Sequence, residues 1–182
     1  PIFHQLIVKQ NEIKLPACIL NIGGIANITI ILSKNLNDLK SYDIGPGNCL
    51  LDEWVRKHTK ERYDANGKIA ETGNVNEVIL NQAMDKFSIL KNEKNLSYDI
   101  KDFDLGFVSE LSLEDGLSTL TNFTARIIAD AIIDSTLIKE NEILLVLVCG
   151  GGRKNITLLK NIKKKLPNNI NIKSIDEYKV NG

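Results

Sequence analysis

The sequence predicts an α/β fold in which a three-strand meander and a strand–helix–strand unit share one mixed sheet, with helices on its faces. Three observations predict it. Short apolar runs bounded by glycines or Asn-Asp follow one another from residue 15 to residue 44. Helical spacing of apolar residues then takes over. A continuous apolar run, ILLVLVC at 143–149, returns late in the chain and is followed by another helical stretch and the strand-like NINIKSID at 169–176.

Each element has its own warrant. LPACILNI at 15–22 is nearly all apolar and closes on Gly23-Gly24, as a buried strand does. NITIILS alternates at Ile28, Ile30 and Leu32, NLND makes a turn, and LKSYDI is a third strand ended by Gly45-Pro46-Gly47. Leu50, Leu51, Trp54 and Val55 then recur at helical spacing, with Asn48 as the N-cap. YDANGKIAETGN at 63–74 reads as a loop, Val75 to Leu90 as a helix, and the polar stretch 91–106 as a loop. From Glu114 to Leu137 a broad apolar stripe predicts a long helix, and Asn155 to Lys165 predicts the crossover helix. The order is the layout of the ribonuclease-H-like half-domain found in actin, sugar kinases and Hsp70-type ATPases. A fold carries no function by itself.

Composition excludes several classes. The 182 residues hold 23 Lys plus Arg against 23 Asp plus Glu, so no net field draws in nucleic acid or an anionic membrane surface. The longest apolar run is far too short to span a bilayer. Cys18, Cys49 and Cys149 are too few and too scattered for a disulfide framework, which fits a reducing, cytoplasmic setting. His4 and His58 are isolated and receive no role.

Three glycine turns, Gly23-Gly24, Gly45-Pro46-Gly47 and Gly150-Gly151-Gly152, each follow an expected strand. Strand ends of this kind line the crevice where open α/β sheets bind ligands, and bare backbone can approach phosphate or a base. Each turn taken alone is equally an ordinary chain reversal. Neither a P-loop nor a dinucleotide fingerprint is present. Asp43, just before the second turn, could take a proton or orient Mg2+ beside phosphates. Spacing alone favours the plainer role, an Asx-type bond steadying the turn. Asp52 would lie one helical turn past Asn48, on the same face.

The blocks PIFHQLI, LNIGGIANIT, YDIGPGNCLLDEW, YDANGKIAETGNVN, LVCGGGRKN and IDEYKVNG span nearly the whole chain, and together they resemble the anhydro-N-acetylmuramic acid kinases. That resemblance implies an enzyme of the actin and sugar-kinase superfamily, acting in peptidoglycan recycling. It would use ATP and Mg2+ to open the 1,6-anhydro ring of anhydro-N-acetylmuramic acid and phosphorylate O6; no metal ligand can be assigned from the sequence. It makes Asp43 the general base that deprotonates the attacking water. Gly23 and Gly24 would then lie near the phosphates, Gly150, Gly151 and Gly152 near the adenosine, and Asn48 and Asp52 on the sugar side.

Two departures qualify the expectation. The chain opens at a block found near the middle of family members and stops before the family's final helix. It is therefore expected to be a single C-terminal lobe, residues 1–182, working with a separately encoded N-terminal half. A truncated inactive remnant, or a non-catalytic nucleotide- or sugar-binding module, are the alternatives. The missing helix would leave apolar sheet surface uncovered and promote association, a homodimer included. In addition, NEKNLSYDIKDF at 92–103 stands where the family carries segments like PKSxDRNDF. Ser97, Asp99 and Phe103 match, while Leu96 replaces a lysine and Ile100 an arginine, which removes charge.

Overall fold

The computed structural model describes residues 13–33, 35, 38–93, 97–135 and 143–178. Among them, five strands form one sheet in the order β3-β2-β1-β4-β5. They are β1 (Ala17–Ile22), β2 (Ile25–Ile31), β3 (Leu39–Pro46), β4 (Leu144–Cys149) and β5 (Ile170–Ser174). β1–β2 and β2–β3 pair antiparallel, as the short links between them require, whereas β1–β4 and β4–β5 pair parallel. The predicted mixed sheet is therefore present. Its central strands are buried on both faces, which is why ACILNI and LLVLVC read as unbroken apolar runs.

The helices are α1 (Cys49–His58), α2 (Lys68–Thr72), α3 (Glu77–Glu93), α4 (Leu113–Ser135) and α5 (Ile156–Lys165). α4 and α5 cover one sheet face: Ala125, Ile128, Ala131, Ile132, Leu158 and Ile162 pack on Leu20, Ile28, Val146 and their neighbours. A second core cluster joins α1, α3 and α4 through Leu50, Trp54, Phe87, Leu117, Leu120 and Phe123. The Trp54 indole Nε1 donates to the Leu113 carbonyl at 3.0 Å, fixing α1 against the start of α4. α4 is buried nearly all round because it lies between these two cores.

The other sheet face carries a smaller cluster of Ala17, Ile19, Ile31, Leu147, Cys149 and Ile175. Among the described residues this face shows no bare apolar patch of the kind expected, since Ile19 and Leu147 are fully buried. One reason is that the turn of 3-10 helix at Ile175–Tyr178 folds back and packs Ile175 and Tyr178 onto this face. Two expectations of local structure also change. The loop at 63–74 contains α2, and 91–106 contains the end of α3, a 3-10 turn at Ile100–Asp102 and the first residue of another at Gly106–Val108. The reach of α4 to Leu137, residue Leu96 and the opening block PIFHQLI lie outside the described residues.

Candidate active site

β1, β3 and β4 run in the same direction, so their carboxyl ends share one edge of the sheet, and the three glycine turns meet there. The first two turns are bonded to each other. Gly47 N–H donates to Gly24 O at 2.9 Å, Asn48 N–H to Gly23 O at 2.7 Å, and Cys49 N–H to Gly24 O at 3.2 Å. The Asn48 side chain donates to Ile22 O, the last carbonyl of β1, at 3.1 Å. Asn48 holds the N-cap position of α1, as the sequence predicts, and that use explains why its side chain makes no cap bond. The same amide lies against the third turn: a Cβ on Gly151 would sit 3.7 Å from Asn48 Nδ2, and one on Gly152 would sit 3.1 Å from its Oδ1. Gly150 has φ +78°, and a Cβ there would run into Asn21 Oδ1 and lie 2.7 Å from Ile22 O, so both conformation and space demand glycine.

Beside this junction lies a cavity of about 300 Å3. Asn48, Leu51, Asp52, Tyr63, Asp64, Asn66, Gly151, Lys154 and Asn155 line it. Sequence reading missed Tyr63, Asp64, Asn66, Lys154 and Asn155, since only the fold brings the 63–67 loop to the start of α5. The Thr157 hydroxyl donates to Gly67 O at 2.8 Å and holds the two together. Asp64 is buried and structural: its carboxylate accepts from Ile69 N–H at 2.9 Å and Ala70 N–H at 3.0 Å, capping α2. Asn155 caps α5 by accepting from Leu158 N–H at 3.0 Å. Asp52 is half-buried, and burial pushes its carboxyl up, partly offset by the Arg56 guanidinium one turn on.

Asp43 stands apart from this cavity. β3 does not stop at residue 44 but continues through Gly45 to Pro46, so Asp43 lies inside the strand, opposite Asn27, and not at its tip. Ala26 pairs with Gly45 and Asn27 with Asp43, which leaves Ile44 as the extra residue of a β-bulge beside the carboxylate. The partly exposed Asp43 carboxylate receives a long bond, 3.4 Å, from the Tyr98 N–H. Tyr98 is anchored among Phe87 and Phe103, with ring centroids 5.9 and 5.7 Å away. The same segment sets Ile100 beside the first turn, its Cδ1 3.5 Å from where a Gly24 Cβ would be. Gly23, Gly24, Asn48 and Gly150–Gly152 thus come together, Asp52 shares the cavity with Gly151, and Asp43 sits further back along β3.

A five-stranded 3-2-1-4-5 sheet of this kind, with glycine turns at one edge, is the fold of the actin-like ATPases and sugar kinases. One solved structure sharing it is the activator of the 2-hydroxyisocaproyl-CoA dehydratase from Clostridium difficile with bound ADPNP, with TM-score 0.55 and 14% identity over 97% of this chain and 65% of that one. The family model for anhydro-N-acetylmuramic acid kinase matches residues 1–182, and the chain belongs to that family. It is 62% identical over 182 residues to the anhydro-N-acetylmuramic acid kinase of Pelagibacter ubique, covering all of this chain and 48% of that protein. To the Zymomonas mobilis kinase it is 36% identical over 184 residues, covering 47% of that protein. The chain therefore spans about half the length of the curated relatives it matches. Among the described residues, no helix is long and apolar enough to cross a membrane.

Proposed function

We propose that the chain is the C-terminal lobe of an anhydro-N-acetylmuramic acid kinase and forms one wall of its cleft, the other wall coming from an N-terminal half. The reaction would open the 1,6-anhydro ring with water and transfer the γ-phosphoryl group of ATP to O6. The observation that carries this reading is the meeting of the three glycine turns at Asn48: the first two bond to each other, and the third packs against the Asn48 amide, so bare backbone from all three lies at one sheet edge. Backbone of that kind accepts phosphate oxygens without a side chain in the way.

In this reading Gly23 and Gly24 face the phosphates and Gly150, Gly151 and Gly152 the adenosine. Asn48 stands between them, and the sugar approaches from the side of Asp43. Asp43 takes a proton from the water that attacks the anomeric carbon, and the C1–O6 bond breaks. O6 then accepts the phosphoryl group. A carboxylate steadied by one long backbone bond and otherwise partly open keeps the lone pairs a base needs. Among the described residues no cluster of three His, Cys, Asp or Glu side chains could hold a metal ion, so Mg2+ would be held chiefly by the phosphates and waters. When bound, Mg2+ would neutralise charge developing on the transferred phosphoryl group.

Ile100 favours a second reading, a module that binds nucleotide without turnover. It presents an aliphatic side chain to the Gly24 turn where family members resembling PKSxDRNDF would offer a guanidinium. One assay separates the two readings: ATP-dependent phosphorylation of anhydro-N-acetylmuramic acid by the chain supplied with the N-terminal half of a relative. Turnover that Asp43→Asn abolishes, by at least about a thousand-fold, supports the kinase. Full turnover in Asp43→Asn removes the base assignment, and ATP binding with no turnover in the unmodified protein selects the binding module.

A further inference from the structure

We propose that Asp52 reads the ribose hydroxyls of the bound nucleotide and so sets the preference for ribo- over deoxyribonucleotides. The resemblance to the family puts this residue on the sugar side, and its surroundings here argue otherwise. Asp52 shares its cavity with Gly151, Lys154 and Asn155, all from the turn after β4, while Asp43 is not among the lining residues. Its amide bonds back to Asn48 O at 2.8 Å, so the side chain projects from the first turn of a helix already tied to the glycine junction. Among the described residues, no hydrogen bond or ion pair engages its carboxylate, and the nearby carboxylate of Asp64 is spent on capping α2.

A half-buried carboxylate repels phosphate, so the phosphates must run toward the backbone of Gly23 and Gly24. What it accepts well is a pair of neutral hydroxyls, and a carboxylate is the group that reads the ribose in dinucleotide-binding folds. The cavity volume, about 300 Å3, lies at the lower end of small-molecule sites and fits a nucleoside better than a whole triphosphate. This inference rests on the reading of the triple-glycine turn as the nucleotide's cradle.

The test is calorimetric titration of the chain, with and without the N-terminal half of a relative, using ATP and 2′-deoxy-ATP. The unmodified chain should bind ATP about ten- to a hundred-fold more tightly, the range for a hydrogen bond to a charged group. Asp52→Asn should shrink that preference to a few-fold without lowering the melting temperature. ATP binding with no discrimination, or discrimination intact in Asp52→Asn, overturns the inference alone. A chain that binds neither nucleotide in either condition overturns the cradle reading and this one with it.

Discussion

Placing a methyl group on Gly47 tests the central structural argument directly. Three backbone bonds, at 2.9, 2.7 and 3.2 Å, clamp residues 47–49 onto Gly23 and Gly24. A Cβ on residue 47 would fall on the Gly23 carbonyl oxygen and lie 3.2 Å from Ala26 N. Every atom it meets belongs to backbone, so no side-chain rotation relieves the clash, and the β1–β2 turn must back away from α1. Overpacking of this kind costs about 1–3 kcal/mol, and each clamp bond stretched past useful length adds about 0.5–1.5 kcal/mol. Gly47→Ala should therefore lose about 3 kcal/mol, which for a chain of this size lowers the melting temperature by roughly 6–12 °C. Gly24→Ala is the control, because its Cβ would meet only Ile100 Cδ1 at 3.5 Å, ordinary contact. Thermal unfolding followed by circular dichroism reads both. Equal melting temperatures for the two variants would refute the claim that the turns are locked by close backbone approach.

Other outcomes follow from single groups. Among the described residues the buried Tyr98 hydroxyl has no hydrogen-bond partner, so Tyr98→Phe should stabilise the chain by about 1 kcal/mol in chemical denaturation; a loss of similar size would mean that the hydroxyl is engaged. The Arg153 hydrogen bond, with Nε 2.9 Å from Asp176 Oδ2, holds the Asp176 carboxyl below the usual carboxylate range. A carboxyl lowered in the folded state stabilises above its unfolded pKa, and that contribution is lost as pH falls through the folded value. The destabilisation caused by Asp176→Asn, measured by melting, should thus be full at neutral pH and fade below about pH 4. Burial pushes the thiols of Cys18 and Cys149 up, and that of Cys49 up to about 11. All three should resist a thiol-specific disulfide reagent at pH 7 until the chain is unfolded; rapid native labelling would contradict their burial.

The sheet was legible because its strands obey the simplest rules. Unbroken apolar runs marked β1 and β4 as buried neighbours, and alternation with short turns marked the meander. α4 was legible from its stripe of seven apolar residues. α2 was not, because five residues show no periodicity and its start is set by Asp64 reaching Ile69 and Ala70. The end of β3 was misplaced for a different reason. Gly45-Pro46 reads as a terminator, yet Gly45 at φ +145° keeps the ladder going opposite Ala26 while fitting against Ile127 and Phe87. Asn48 is the N-cap residue the sequence predicts, but local sequence cannot show that a carbonyl 26 residues earlier takes its side chain in place of a cap bond. The meeting of the glycine turns followed from strand direction alone, whereas Tyr63, Asn66 and Lys154 reach the cavity through contacts distant in sequence.

One side chain, the carboxamide at position 48, spans the end of the first strand, the entry to the first helix and the loop leaving the fourth strand. Because one carboxamide touches all three, a substitution at position 48 disturbs them together, and no one of these loops can be altered there without the other two.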